Sequence, residues 1–183
     1  MILYIHGFAS SSKSNKVTLM RNSFDNIKSI DLNIQPKVAI TQLEEFIEDN
    51  IKDNNITLIG SSLGGFYALY LSQKYNLKAV LINPSIYPYK TLKVYKNQNI
   101  TNYSSGKISK FKKKYLTQLK NYRVKNIDNS KILLLLQMGD KTIDYREALR
   151  FLPNSKYIIE SGGNHQFENF EDYFAIISRF IKE

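Results

Sequence analysis

Short, nearly unbroken apolar runs alternate along this chain with stretches in which apolar residues return every three or four positions. The runs occupy residues 2–5, 56–59, 78–83, 132–138 and 156–160, and residues 27–32 look like a further strand. Uninterrupted apolar runs of this length read as strands covered on both faces. Between them, Val17, Met20 and Phe24 make a weak helical repeat. Pro36 opens a stronger one, with Val38, Leu43, Phe46, Ile47 and Ile51 on one face and Glu44, Glu45, Glu48 and Asp49 largely on the other. Leu63, Phe66, Tyr67, Tyr70 and Leu71 follow the run at 56–59 at helical spacing, and residues 144–152 and 170–181 complete the helical set. Strands and helices alternating this regularly predict βαβ units and a doubly wound, mostly parallel six-stranded α/β sheet. The first run starts at residue 2, so the expectation is that no strand precedes it and that residues 1–183 form one domain.

Residues 86–130 break the alternation. They carry Tyr87-Pro88-Tyr89 and Asn97-Gln98-Asn99, then a basic stretch over 107–125. Within that stretch Phe111, Tyr115, Leu119 and Tyr122 recur at helical spacing, surrounded by Lys110, Lys112, Lys113, Lys114 and Lys120. The expectation is an insertion holding one basic amphipathic helix, packed over the C-terminal edge of the sheet as a lid.

Composition narrows the chemistry. The 183 residues include no cysteine, which excludes disulfides, thiolate catalysis and zinc-thiolate sites and fits a reducing compartment. No apolar run approaches a membrane span, and the first residues lack the basic and long apolar segments of a signal peptide. A cytoplasmic protein is therefore expected. The formal net charge of +10 admits nucleic acid, anionic lipid or an acidic substrate as partners. A lysine-, asparagine- and isoleucine-rich bias over a solvated surface explains it as well for the chain as a whole, and no nucleic-acid partner is expected.

The stretch around which the chemistry gathers is Gly60-Ser61-Ser62-Leu63-Gly64, between the third strand and a helix. It fits G-x-S-x-G in the strand–turn–helix context that the motif requires, because so tight a turn needs small residues beside the serine. Ser62 would stand above the sheet edge, with the helix N-terminus, Leu63 first, facing any developing negative charge. Ligands of open α/β sheets bind outside the carboxyl ends of the strands. Those ends carry His6-Gly7-Phe8, Ser62, Gly139-Asp140 and Gly162-Gly163-Asn164-His165. Ser, Asp and His follow in the chain order of a hydrolase triad. A serine hydroxyl needs an imidazole to take its proton, and the imidazole needs a carboxylate to orient it and stabilise its cation. His165 is the expected base, in a glycine-rich loop. His6 is expected to support its loop, while the Phe8 amide joins that of Leu63 as an oxyanion donor. Asp140 is favoured as the acid over Asp144, which precedes a helical pattern and suits an N-cap. Ser61 is read as filling space beside the turn, and Ser10, Ser11 and Ser12 as loop polarity.

Tyr4-Ile-His-Gly-Phe8, Gly60-Ser-Ser-Leu-Gly-Gly65, Leu81-Ile-Asn-Pro84, Gln137-Met-Gly-Asp140 with Asp144-Tyr-Arg146, and Gly162-Gly-Asn-His-Gln-Phe167 together resemble the YqiA/YcfP-type family of small bacterial esterases, within the α/β-hydrolase superfamily. The resemblance runs over essentially the whole chain. It implies an α/β-hydrolase fold trimmed of the first two strands of larger members, with Ser62 as nucleophile, Asp140 as acid and His165 as base. Asn164 departs from the pattern, since an acidic residue is common before the histidine.

The expected function is a serine hydrolase cleaving carboxylic esters or thioesters through an acyl-enzyme, with a small-molecule acyl substrate and no metal or organic cofactor. Acyl-CoA is one candidate, attracted by the basic insertion. An acyltransferase would use the same residues. The rival from another class is a non-catalytic binder of nucleic acid or anionic membrane through residues 107–125.

Overall fold

The computed structural model describes residues 1–103 and 105–183. Six parallel strands form the central sheet: β1 (Ile2–Ile5), β2 (Ile27–Lys28), β3 (Thr57–Ser61), β4 (Lys78–Ile82), β7 (Ile132–Gln137) and β8 (Lys156–Glu160), in the order β2-β1-β3-β4-β7-β8. Two short strands, β5 (Asn99–Thr101) and β6 (Ile108–Lys110), pair antiparallel as a separate ribbon. The order reverses between β1 and β3, so the loops leaving those two strands flank the crevice where doubly wound sheets bind ligands.

Strand side chains alternate between the two faces. Leu3, Ile5, Leu58, Leu81, Leu134 and Leu136 face α2 (Pro36–Asn50) and α3 (Leu63–Tyr75), with α6 (Tyr145–Phe151) packed on the same side. Ile2, Tyr4, Ile59, Val80, Ile82, Leu133 and Leu135 face α1 (Asn15–Arg21) and α7 (Phe174–Lys182). Each fully buried aliphatic side chain contributes about 1.5–3 kcal/mol of transfer free energy, so both faces hold the sheet. The buried side of α2 runs through Ala39, Ile40, Leu43 and Ile47, while Val38, expected on that face, is 37% exposed. Stepping back from Leu43 by three and four residues reaches Ile40 and Ala39 and passes over Val38.

One further expectation shifts. The second strand stops at Lys28 instead of running to Leu32. Beyond it the Ser29 hydroxyl donates to the Tyr4 carbonyl at 2.9 Å and the Leu32 amide to His6 Nε2 at 3.1 Å, so side chains replace the backbone ladder. The basic stretch forms α5 (Lys113–Asn121). It packs against α2 and α4 (Pro88–Thr91), and its stripe of Tyr115 and Leu119, with Phe111 just ahead, is buried in the core on the α2 side. Lys112, Lys113, Lys114 and Lys120 are left in solvent. The apolar stripe governs the placement, because burying it outweighs any pull on the exposed lysines.

No helix among the described residues is long and apolar enough to cross a membrane.

Candidate active site

Ser62 sits between the end of β3 and the start of α3 with φ 52° and ψ −118°, a backbone conformation that side-chain-bearing residues rarely adopt. The surrounding backbone enforces it. The Ser62 amide donates to the Ile82 carbonyl, and the amides of Gly65 and Ser85 donate to the Ser62 carbonyl, all at 3.0 Å. The turn closes only because its glycines lack Cβ atoms. A Cβ on Gly60 would stand 2.2 Å from the Gly64 carbonyl oxygen, and one on Gly64 would stand 2.0 Å from that of Ile5. The spacing of the motif is thus a packing requirement.

His165 meets Ser62 from the far side of the crevice. Its Nε2 lies 3.0 Å from Ser62 Oγ, and its Nδ1 lies 2.7 Å from Asp140 Oδ2. The carboxylate is an acceptor, so Nδ1 carries the ring proton and Nε2 accepts from the serine hydroxyl. The Asp140 side chain is 1% exposed, and its other oxygen accepts the amides of Thr142 at 2.7 Å and Ile143 at 2.9 Å. All three of the carboxylate's contacts are directional, and they give it one orientation in which to meet the imidazole. Asp144 lies outside this chain. It caps α6 by accepting the Arg146 amide at 3.0 Å, and the neighbouring Arg146 guanidinium holds its carboxyl below the usual range.

The loop bearing His165 is clamped by two polar side chains that the sequence reading gave no role. Gln137, buried at the end of β7, accepts the amides of Asn164 (3.1 Å) and Glu168 (2.9 Å) on Oε1 and donates from Nε2 to the Glu168 carbonyl at 2.9 Å. Asn83, buried after β4, accepts the Gln137 amide at 2.9 Å and donates to the Asn164 carbonyl at 3.0 Å. The signal for both is in the chain: a polar residue closing an otherwise apolar strand is costly unless partnered. Asn164 also contacts the Glu168 side chain.

His6 lies in the turn after β1, 5% exposed. Its Nδ1 is 2.9 Å from the Gly7 carbonyl, and its Nε2 accepts the Leu32 amide, so both ring nitrogens are engaged in holding two loops together. Burial pushes its pKa below the ordinary 6.5. The Phe8 ring packs on Tyr95 and Phe111 at centroid distances of 5.3 and 5.4 Å, which anchors the Phe8 backbone beside Ser62. Leu63 opens α3 and has no intrahelical acceptor for its amide. Neither its N–H nor that of Phe8 meets a protein acceptor among the described residues. Ser61 exchanges a 2.9 Å hydrogen bond with the Tyr4 hydroxyl, whose pKa burial pushes up to about 12.

Ser62, Leu63, Phe8 and His165 all border one cavity of about 670 Å³. The insertion roofs it with Pro88, Thr91, Leu92, Val94, Tyr95 and Tyr103; none of the α5 lysines reaches it. A smaller cavity of about 140 Å³ lies across Phe8 and Leu63, reaching Tyr67, Ile100 and Lys107. No group of three or more His, Cys, Asp or Glu side chains suited to a metal ion occurs among the described residues.

A parallel sheet wound on both faces, with a strained serine turn after its third strand and an Asp–His pair reaching that serine from the last two strand ends, defines an α/β-hydrolase fold. Solved structures agree on the fold. Mouse alpha/beta hydrolase domain-containing protein 10 superposes with a TM-score of 0.77 at 16% identity, over 99% of this chain and 89% of its own. The monoacylglycerol lipase of Paleococcus ferrophilus gives 0.70 at 14% identity, over 99% and 93%. Within that fold the chain belongs to UPF0227, described as an uncharacterised protein family, whose sequence model matches residues 1–182. The UPF0227 protein YcfP of Salmonella paratyphi A is 24% identical over 190 residues, 98% of each chain, which is the relationship that the sequence motifs point to.

Proposed function

We propose that the chain is a serine hydrolase that cleaves carboxylic esters or thioesters through an acyl-enzyme. The observation that carries this reading is the continuous hydrogen-bond chain Asp140–His165–Ser62 opening onto a cavity. Ser62 Oγ attacks the acyl carbon as its proton passes to His165 Nε2, and Asp140 stabilises the imidazolium through Nδ1. The carbonyl oxygen becomes an oxyanion facing the amides of Leu63 and Phe8, each worth about 3 kcal/mol of barrier. Collapse expels the alkoxide or thiolate, which takes the proton from Nε2. A water, deprotonated by the same nitrogen, then attacks the acyl-enzyme and releases the acid and Ser62.

The lysines of α5 give no support to an acyl-CoA preference, since they face solvent away from the cavity.

The test is turnover of p-nitrophenyl butyrate and butyryl thioesters by wild type, Ser62→Ala, His165→Ala and Asp144→Asn. Loss of about four or more orders of magnitude in kcat is expected for the first two variants, and near wild-type rates for Asp144→Asn. Wild-type turnover by Ser62→Ala would sink the reading.

A further inference from the structure

The cavity beside Ser62 contains one feature that ester cleavage alone does not require. Lys16, at the start of α1, lines it together with Ser62, His165 and Gln166. No aspartate or glutamate is among the described residues lining it. Lys16 Nζ donates to the Gln166 carbonyl, one residue beyond the base. It forms no ion pair with a carboxylate among the described residues. The ammonium also lies 6.0 Å from the centroid of the Phe170 ring, and of its three donors the Gln166 carbonyl takes one. Burial with no carboxylate nearby lowers the Lys16 pKa to about 8. A half-buried cation held without its counter-ion beside a nucleophile is a costly arrangement, and an anionic ligand would relieve it.

We propose that Lys16 is an anion-recognition residue of the active site, and that the ester or thioester cleaved at Ser62 carries a carboxylate or phosphate group that this ammonium receives. The inference rests on the hydrolase reading and deepens it: the substrate class is an anionic acyl ester, with the charge in the acyl chain or on the leaving group. Lys16 stands apart from the rest of the basic composition. The lysines of α5 are exposed and line no part of this cavity, whereas Lys16 lines the cavity in which Ser62 stands. Its bond to Gln166 also admits a purely positioning role for the His165 loop, and the two roles separate kinetically. Anion recognition acts on KM for charged substrates alone; loop positioning acts on kcat for every substrate.

The experiment compares p-nitrophenyl butyrate with p-nitrophenyl hemiglutarate, its carboxylate-bearing counterpart, on wild type, Lys16→Met and Lys16→Arg. Glutarate and inorganic phosphate serve as competitive inhibitors that distinguish the two anions. A charge-assisted hydrogen bond of ordinary strength makes Lys16→Met raise KM for the hemiglutarate by about 10- to 100-fold. The butyrate KM should stay within about twofold, the better anion should lose its inhibition, and Lys16→Arg should restore most of the preference. Equal loss of kcat on both esters, or no change on either, would overturn the proposal while leaving the hydrolase reading intact. Binding of the hemiglutarate to Ser62→Ala and Ser62→Ala/Lys16→Met, by calorimetry, tests Lys16 without any turnover. Binding that weakens about tenfold with the lysine removed supports the anion site even should the hydrolase reading fail, and equal binding refutes it.

Discussion

Ser62 and His165 reach the same cavity from two loops that are held by opposite means. The serine turn is fixed by backbone sterics: glycines let β3, α3 and the end of β1 approach where a single Cβ would stand about 2 Å from a carbonyl oxygen. The His165 loop is fixed by side chains, with Gln137 and Asn83 supplying five hydrogen bonds to it and to each other. Backbone sterics leave little choice of residue, so the turn is written in the sequence as a motif. Side-chain clamps depend on groups distant in the chain, Gln137 on Asn164 being 27 residues away. The comparison also predicts different failures. A fault in the first loop is a fault of folding, and a fault in the second is a fault of alignment.

Gly64→Ala gives the largest expected effect. The added Cβ meets the Ile5 and His6 carbonyls, atoms of the backbone that cannot swing aside. Destabilisation at or beyond the top of the usual 1–3 kcal/mol for overpacking is expected, read as a drop in the urea midpoint or as loss of folded protein. Gln137→Leu comes next and should part stability from activity. Stranding the Asn164 and Glu168 groups costs about 2 kcal/mol, which a folded protein survives. A base displaced by about 1 Å lowers kcat about 100-fold, with KM little changed. A Gln137→Leu protein that melts normally and turns over normally would mean the clamp does not set the position of His165.

His6 gives the smallest effect and sharpens the contrast, being a side-chain clamp inside the backbone-held half. Its folded pKa lies below the ordinary 6.5 because burial disfavours the cation. As pH falls through 6.5 the unfolded chain therefore takes up the proton first, and stability declines from there toward the folded value. Above pH 6.5 the term vanishes. Melting temperatures between pH 8 and 5 should fall more steeply for wild type than for His6→Gln, and parallel curves would remove His6 from the account.

The same division explains what was legible in the chain. Five of the six sheet strands and the serine turn follow from apolar runs and glycine spacing, because both are short-range demands. The β5–β6 ribbon was not visible: Ile100 is buried while Ile108 is 64% exposed, so no alternating pattern marks it. The early end of β2 depends on His6 and Ser29 replacing a ladder, which no local pattern encodes. The basic helix showed its amphipathic stripe but not the neighbour that covers it. Asp140 and Asp144 lie four residues apart after one strand, and only the fold separates the carboxylate that meets His165 from the one that caps a helix.

The most direct measurement is labelling by a fluorophosphonate, which reacts with a serine only when an adjacent base activates it. Wild type is expected to be labelled at Ser62, with Ser62→Ala unlabelled and Gln137→Leu labelled more slowly. Folded wild-type protein that remains unlabelled at Ser62 would contradict the assignment of an activated serine at this site.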